Sequence, residues 1–280
     1  MSGIDVSALL ITATDRLAAA GIASPRVDAE LLLAHCLGVT RSALITRTAV
    51  PGGAAAGFAG LIERRAAREP LQHIAGTAPF RYLELAVGPG VFIPRPETEL
   101  LIDAVLPVLA AAAAPIAVDL CAGSGALALA IAHEAPHARV VAVEMSAQAL
   151  IWLRRNAVGS RIEVVAGDVT DNDLLTDLCG AVDVVVSNPP YVPLTTAVDA
   201  EVLADPAEAV FAGVDGLALM PAVISRAAML LGSGGVLAIE HNDSHGQTLP
   251  ALLHAGADWT DIADHRDLAG RPRYVTAVRR

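Results

Sequence analysis

Asp119-Leu120-Cys121-Ala122-Gly123-Ser124-Gly125 joins a short apolar run, residues 116–120, to a helical pattern over residues 126–133. A strand that ends in a glycine-rich turn and then opens a helix begins a βαβ unit. Glycines in such a turn let the backbone approach a ligand closely, and the helix N-terminus offers free N–H groups. Toward the C-terminus the alternation continues. Residues 139–144 read as the second strand, 146–156 as a helix, 162–166 as the third strand and 182–187 as the fourth. A helix over 217–231, a fifth strand over 236–240, a helix near 247–253 and strands over 259–262 and 274–278 complete the pattern. This predicts an α/β fold with a mostly parallel, seven-stranded sheet covered by helices on both faces.

Toward the N-terminus the character differs. Leu9, Leu10, Ala13 and Leu17 recur at helical spacing. Ser24-Pro25 reads as the cap and first turn of a helix over 26–37, which Gly38 ends. Thr40 opens a shorter helix, Pro51-Gly52-Gly53 reads as a flexible break, and residues 54–68 read as another helix. Phe80, Tyr82, Leu83, Leu85 and Val87, set between Pro and Gly breaks, suggest a hairpin. The expected organisation is a helical bundle over residues 1–75, a β-hairpin linker over 76–93 and an α/β domain over 94–280.

With 54% hydrophobic residues, the 280-residue chain can bury a large core without disulfides or metals. Aromatics are only 3%, so that core must be built of Ala, Val and Leu. The net charge is -11, and every basic side chain is Arg. A duplex-DNA binder normally presents a basic face. The acidic balance therefore favours a protein or small-molecule partner, and no direct nucleic-acid substrate is expected. Cys36, Cys121 and Cys179 lie far apart and form no C-x-x-C pair, so neither a metal site nor a disulfide framework is expected, and a reducing cytoplasm is the expected location. No basic stretch followed by an apolar one is read at the N-terminus. The most apolar run, 104–118, is short and broken by Pro107 and Pro115, so no membrane span is expected.

Ligands of open α/β sheets bind beyond the carboxyl ends of the strands. Residues Cys121 to Gly125 and Glu144, at the end of the second strand, fall there, and a carboxylate at that place can accept both hydroxyls of a ribose. Gly123-Ser124-Gly125-Ala126-Leu127-Ala128 also fits G-x-G-x-x-A, so a dinucleotide fold stays open on this pair alone. Two points favour S-adenosylmethionine. Asp119 precedes the loop, where a buried carboxylate can organise the turn and face the cationic methionine moiety. Nothing downstream resembles a hydride-transfer site. Asp168 is a candidate for the adenine amino group, with Val169 as an apolar wall for the ring.

Asn188-Pro189-Pro190-Tyr191 follows the fourth strand directly. Two successive prolines fix φ and remove two backbone donors, leaving carbonyl acceptors in a stiff loop. Asn188 adds a side-chain carbonyl and Tyr191 a flat apolar wall with one polar handle. The set suits a planar NH2 group. Its two N–H bonds can point at the Asn188 side-chain oxygen and the Pro189 carbonyl, which aims the nitrogen at a sulfonium methyl group.

Several other patterns compete. His133-Glu134-Ala135-Pro136-His137 spells H-E-x-x-H, but Pro136 breaks the helix that would have to present both histidines. His241 and His245 read as surface loop histidines. Arg64-Arg65 and Arg154-Arg155 read as solvated helix faces, with a lesser reading of the former as a partner contact. Glu240 lies near the same sheet edge as the site. An adenine-N6 nucleic-acid methyltransferase would share Asn-Pro-Pro-Tyr but needs a basic groove. A non-catalytic adaptor using the helical bundle would leave the Asn188 loop dispensable.

On these residues the chain resembles the release-factor glutamine N5-methyltransferase family, nearly from end to end. The match includes Ser24-Pro25-Arg26-Val27-Asp28-Ala29-Glu30, Glu69-Pro70-Leu71-Gln72-His73-Ile74-Ala75-Gly76 and Ile93-Pro94-Arg95-Pro96-Glu97-Thr98-Glu99. It continues through Asp205-Pro206, Asp215-Gly216-Leu217 and Gly234-Gly235. The resemblance implies a Rossmann-like class I methyltransferase fold and S-adenosylmethionine as cofactor, contacted by Cys121 to Gly125, Glu144 and Asn188. It implies that residues 93–99 help wall the cofactor pocket. It implies a substrate, the glutamine of the Gly-Gly-Gln motif in peptide chain release factors, gripped in part by the helical domain. Two positions depart from the family pattern. Its loop commonly begins Gly-Thr where this chain has Cys121-Ala122, and an aromatic commonly stands where this chain has Val169, so adenine packing is expected to draw on Phe92.

Overall fold

Residues 4–280 are described by the computed structural model, and the chain divides into two units. One runs to Thr77 and takes in Asp199–Ala204; the other comprises Ala78–Val198 and Asp205–Arg280.

The first unit is built from β1 (Ile4–Asp5), α1 (Val6–Ala19), α2 (Pro25–Leu37), β2 (Ala49–Val50), α3 (Gly52–Ala66) and α4 (Leu71–Ala75). Asp5 caps α1 by accepting from the Ser7 and Ala8 amides. Pro25 sits at the start of α2, but the Ser24 side chain makes no capping bond; its backbone carbonyl accepts from Asp28 instead. Pro51-Gly52-Gly53 is not a break, because α3 begins at Gly52 directly after Pro51. Val6, Leu10, Ala13 and Leu17 turn one face of α1 onto Leu32 and Leu33 of α2 and Phe58 and Ile62 of α3. Arg65 is not part of a solvated face. It is buried, donating to Asp28 at 2.7 Å and to Glu201 at 3.0 Å, while Arg68 donates to the other Glu201 oxygen at 2.6 Å. These ion pairs hold the excursion 199–204 in this unit.

In the second unit, β3 (Thr77–Phe80) and β4 (Leu83–Ala86) form the expected hairpin. Its Phe80 and Leu85 are buried in the same core as the sheet residues Val184 and Val186, and its Arg81 pairs with Asp103 and Glu134, so the hairpin is packed into this unit rather than serving only as a tether. Then follow α5 (Glu99–Ala111), β5 (Ile116–Leu120), α6 (Ala126–Glu134), β6 (Arg139–Glu144), α7 (Ala147–Asn156), β7 (Glu163–Ala166) and β8 (Val182–Ser187). The chain ends with α8 (Ala207–Val210), α9 (Met220–Leu230), β9 (Leu231–Glu240), α10 (Thr248–Ala255), β10 (Trp259–Arg266) and β11 (Pro272–Arg279).

The seven-stranded sheet has the order β10-β11-β9-β8-β5-β6-β7. β9, β8, β5, β6 and β7 run parallel, and β11 inserts antiparallel between β9 and β10. Both faces are buried, as the continuous apolar strands require. Val140, Ala142, Val184 and Val186 face α5 and α6, whereas Val141, Val143, Val185 and Leu237 face the opposite core with α9 and α10. β9 starts five residues before the sequence pattern suggests, because Gly234-Gly235 interrupts the apolar run while the strand continues through it. After β5 the chain moves outward through β6 and β7, then returns to the other side of β5 as β8. That reversal opens a crevice at the carboxyl ends of β5, β6 and β8.

Candidate active site

The loop after β5 is shaped by unusual backbone. Cys121, Gly123 and Gly125 all have positive φ, at 65°, 57° and 88°. A Cβ at Gly125 would stand 2.6 Å from Leu153 Cδ1, so this glycine is required by packing of α6 against α7 rather than by a ligand. Glu144 is held rigid by the loop it faces: Oε2 accepts from the Gly123 amide at 2.8 Å and Oε1 from the Ser146 amide at 2.7 Å. Each oxygen keeps a lone pair for a further donor. Asp119 accepts from the Ala128 amide at 3.1 Å through Oδ2, while Oδ1 is buried without a partner. Burial, and secondarily the charge of Glu144, push the Asp119 carboxyl up to about 8. The same burial and carboxylates push the Cys121 thiol far above its ordinary value, so it is neutral and not a nucleophile.

The Asn188 loop leaves the end of β8, which Ser187 ties to β5 by donating its hydroxyl to the Leu120 carbonyl at 2.7 Å. Asn188 Nδ2 donates to Thr98 Oγ1 at 3.0 Å, leaving its Oδ1 as the acceptor. Tyr191 does not stand as a wall of the site. Its hydroxyl donates to Glu240 Oε1 at 2.7 Å, and its ring packs against the core beneath β8 and β9. Burial and the Glu240 carboxylate push its phenol well above the ordinary value, so it stays protonated. Gly216 packs on the backbone of this loop: a Cβ there would lie 2.3 Å from the Tyr191 carbonyl oxygen, and φ is +77°. Gly216→Ala is expected to destabilise the fold by ~2 kcal/mol or more, because the loop must move and the backbone is strained. An unchanged melting temperature would show that the loop yields freely.

These groups converge on one cavity of about 270 Å³. Of the residues singled out in the sequence, Asp119, Cys121, Ala122, Gly123, Ser124, Glu144, Val169, Asn188 and Pro190 line it. Gly125, Asp168, Pro189 and Tyr191 are not among its lining residues. The Asp168 carboxylate is turned to Thr170, accepting from its amide and hydroxyl at 2.8 Å each, which holds it below the usual carboxylate range. Pro189 is buried within the loop. The walls also include Phe92, Thr98, Met145, Pro206, Glu208 and Leu219. Of these, Met145 carried a signal that sequence reading passed over, a large apolar residue immediately after Glu144, and in the structure it is 64% exposed. Glu208 carried none, since its chain neighbours lie far from the strand ends in sequence, and Pro206 stood out only as part of the resemblance.

The competing histidine patterns resolve as structure. α6 ends at Glu134, which pairs with Arg81, and His137 contacts the Leu109 carbonyl. No cluster of potential metal ligands exists among the described residues. His241 and His245 are buried, not surface residues. Nε2 of His241 meets Asp264 at 2.9 Å and Nε2 of His245 meets the Asp215 carbonyl at 2.8 Å, because the chain folds back over the end of β9. No helix of the described residues is long and apolar enough to cross a membrane.

Comparison with known proteins places this architecture. Residues 8–76 match the model of the PrmC N-terminal domain and residues 87–209 that of the methyltransferase small domain. A release factor glutamine methyltransferase of Mycolicibacterium smegmatis is 53% identical over 270 residues, 95% of each chain. The chain belongs to the release factor glutamine methyltransferase family. A second member, from Streptomyces coelicolor, is 49% identical over 273 residues, again 95% of each chain. The 16S rRNA N2 G1207 methyltransferase of T. thermophilus, solved with AdoMet and guanosine, shares the fold with a TM-score of 0.51 and 22% identity, over 73% of this chain and 50% of that one. The fold is thus the Rossmann-like methyltransferase fold that the strand–helix alternation and the resemblance together imply. In this family member Cys121 carries a side chain where the backbone turns left-handed. Its φ of 65° is a conformation that favours glycine, so a side chain at this position carries backbone strain of about 1 kcal/mol.

Proposed function

We propose that this chain transfers a methyl group from S-adenosylmethionine to the side-chain amide nitrogen, N5, of the glutamine in the Gly-Gly-Gln motif of peptide chain release factors, supporting translation termination. The observation that carries the reading is the meeting, in one cavity, of an Asn188 amide whose nitrogen is occupied by Thr98 and a buried Asp119 oxygen that lacks a partner. The unpartnered Asp119 oxygen, ionised once a cation lies against it, fits the cationic methionine end of the cofactor. Glu144, with a free lone pair on each oxygen, fits its ribose hydroxyls, and Met145, Val169 and Phe92 offer apolar surface for the adenine ring. When bound, the cofactor supplies a methyl carbon on a positively charged sulfur.

The chain's own contribution is orientation and charge. An amide nitrogen is a poor nucleophile because its lone pair is delocalised. Asn188 Oδ1 accepts one N–H of the glutamine amide and the Pro189 carbonyl the other. Two acceptors favour a pyramidal, partly cationic nitrogen over the planar ground state, so they bind the transition state more tightly. Pro189 and Pro190 keep those acceptors fixed, and positioning supplies much of the remainder. No general base is required, since the proton leaves to solvent once the nitrogen is alkylated. Tyr191 serves by anchoring the loop to Glu240. The helical domain over residues 1–75 grips the release factor, while the domain over 94–280 admits the glutamine. The reaction takes place in the cytoplasm and needs no metal, membrane or direct nucleic-acid substrate.

Glu144→Ala is expected to weaken S-adenosylmethionine binding by ~1–3 kcal/mol by calorimetry, the scale of a lost charged acceptor. Unchanged affinity would remove Glu144 from the ribose site. The reading as a whole is tested by mass spectrometry of a purified release factor after incubation with the enzyme and labelled cofactor, with DNA as a parallel substrate. Label on the Gly-Gly-Gln glutamine is the expected result; label on DNA alone would overturn it.

A further inference from the structure

A carboxamide has two ends of nearly the same shape and opposite chemistry. If the Asn188 amide were turned over, it would present an NH2 group to the substrate NH2 group, donor against donor. Something must therefore choose its orientation. The bond from Nδ2 to Thr98 Oγ1, at 3.0 Å, is the immediate constraint. A hydroxyl, however, donates as readily as it accepts, so Thr98 alone does not choose.

The geometry points to Glu240 as a positioning residue that, through Thr98, fixes which end of the Asn188 amide faces the substrate, an inference that rests on Asn188 being the acceptor proposed above. Glu240 ends β9 beside the end of β8, with Ser187 registered against Ile239, so Asn188 and Glu240 leave neighbouring strands at the same level. Its carboxyl is 1% exposed; burial raises it above the ordinary carboxylate value, and in its ionised form it is an acceptor only. Oε1 already receives the Tyr191 hydroxyl. Oε2 is buried and has no hydrogen-bond partner, and the Thr98 hydroxyl, itself buried, is close enough to this carboxyl to favour its charged form. Directing the Thr98 proton toward Glu240 leaves Thr98 with only lone pairs to offer Asn188. The amide then has to bring its nitrogen to Thr98, and Oδ1 is left for the cavity. Arg273, which pairs with Asp267 at 3.2 Å, lies close enough to Glu240 for its positive charge to be felt there, which compensates the buried carboxylate. Neither Glu240 nor Tyr191 is among the residues lining the cavity.

Glu240→Gln separates this relay from simple packing, because it keeps the volume. The Tyr191 hydroxyl holds the amide oxygen of the new side chain, so its NH2 group turns to Thr98 and reverses the relay. The expected result is a kcat about 10- to 100-fold lower with KM for cofactor and release factor within about twofold, as misorientation rather than lost binding demands. Thr98→Val is expected to match it, and Thr98→Ser, which restores the hydroxyl, to recover most of the turnover. A second readout needs neither cofactor nor activity: the Asn188 side-chain amide resonances of the free protein. They are expected to shift, or to double from two orientations, in Glu240→Gln and Thr98→Val but not in Thr98→Ser. Unchanged kcat with unmoved resonances would overturn the relay, as would a Thr98→Ser variant as slow as Thr98→Val. Should Glu240→Gln fail to fold, the two Thr98 variants still decide. If the wild-type enzyme leaves the release factor unmethylated, the substrate reading fails, and the resonances alone judge the relay.

Discussion

Replacing Asn188 with alanine is expected to lower kcat for release-factor methylation by about 10³-fold or more while the protein stays folded. In the proposed mechanism the side-chain oxygen of Asn188 is one of two acceptors that distinguish a pyramidal nitrogen from a planar one, in a cavity walled by apolar groups such as Phe92, Met145 and Val169, where such an interaction is strong. Its removal forfeits both the charge stabilisation and the aim of the substrate nitrogen. The structural loss is smaller. Asn188 is only half-buried, and the bond given up is the single one to Thr98, of order 1 kcal/mol. The loop itself is retained by Pro189, Pro190 and the Tyr191–Glu240 bond. Single-turnover kinetics against a purified release factor, together with thermal unfolding, separate the two contributions. Turnover close to wild type would remove the carbonyl pocket from the mechanism.

The second large effect is on the pH dependence of cofactor binding. In the free protein the Asp119 carboxyl is pushed up to about 8, chiefly by burial. The sign follows from linkage. A raised folded-state value means that the native protein holds this proton more tightly than the unfolded chain does. The group's contribution to stability is therefore complete at low pH and is lost as pH rises through about 8. A cationic ligand beside the unpartnered Oδ1 favours the carboxylate and lowers that value again. Binding at neutral pH must then expel close to one proton. Affinity for S-adenosylmethionine is expected to rise about tenfold per pH unit between about pH 5.5 and pH 7.5, the slope of one proton released. Calorimetry in buffers of different ionisation enthalpy counts the proton directly. Asp119→Asn is expected to bind more weakly at pH 7.5 and to lose the slope. A flat profile in the wild type would show that no positive charge lies against Asp119.

Much of this was legible from residue order. β5, β6 and β8 occupy the spans that their apolar runs suggest, because a strand buried on both faces leaves a continuous hydrophobic signature. Nine of the residues singled out for the site line its cavity, since a ligand at the strand ends can be touched only from the loops that follow them. The failures share a cause. β1 and β2, two residues each, are too short for any periodicity to register. Arg65, His241 and His245 look like solvent-facing polar residues until Asp28, Glu201, Asp264 and the Asp215 carbonyl, all distant in sequence, are brought against them. Tyr191 and Asp168 sit at the expected positions but point elsewhere, because Glu240 and Thr170 offer better partners than the cavity does.

Order and type of residue determined on their own that the chain forms a mostly parallel sheet with a glycine-rich loop after its first parallel strand and a proline-stiffened loop after its fourth, since both properties are local: glycine and proline act on their own φ, and strand periodicity on its own few residues. Folding in three dimensions decided which atoms of those loops are free to act. The open oxygen of Asp119, the turned amide of Asn188 and the withdrawal of Tyr191 each depend on a partner from another element, Ala128, Thr98 and Glu240 respectively. A hydrogen bond of about 3 Å between groups 9, 90 and 49 residues apart has no counterpart in linear sequence, and only packing can supply it.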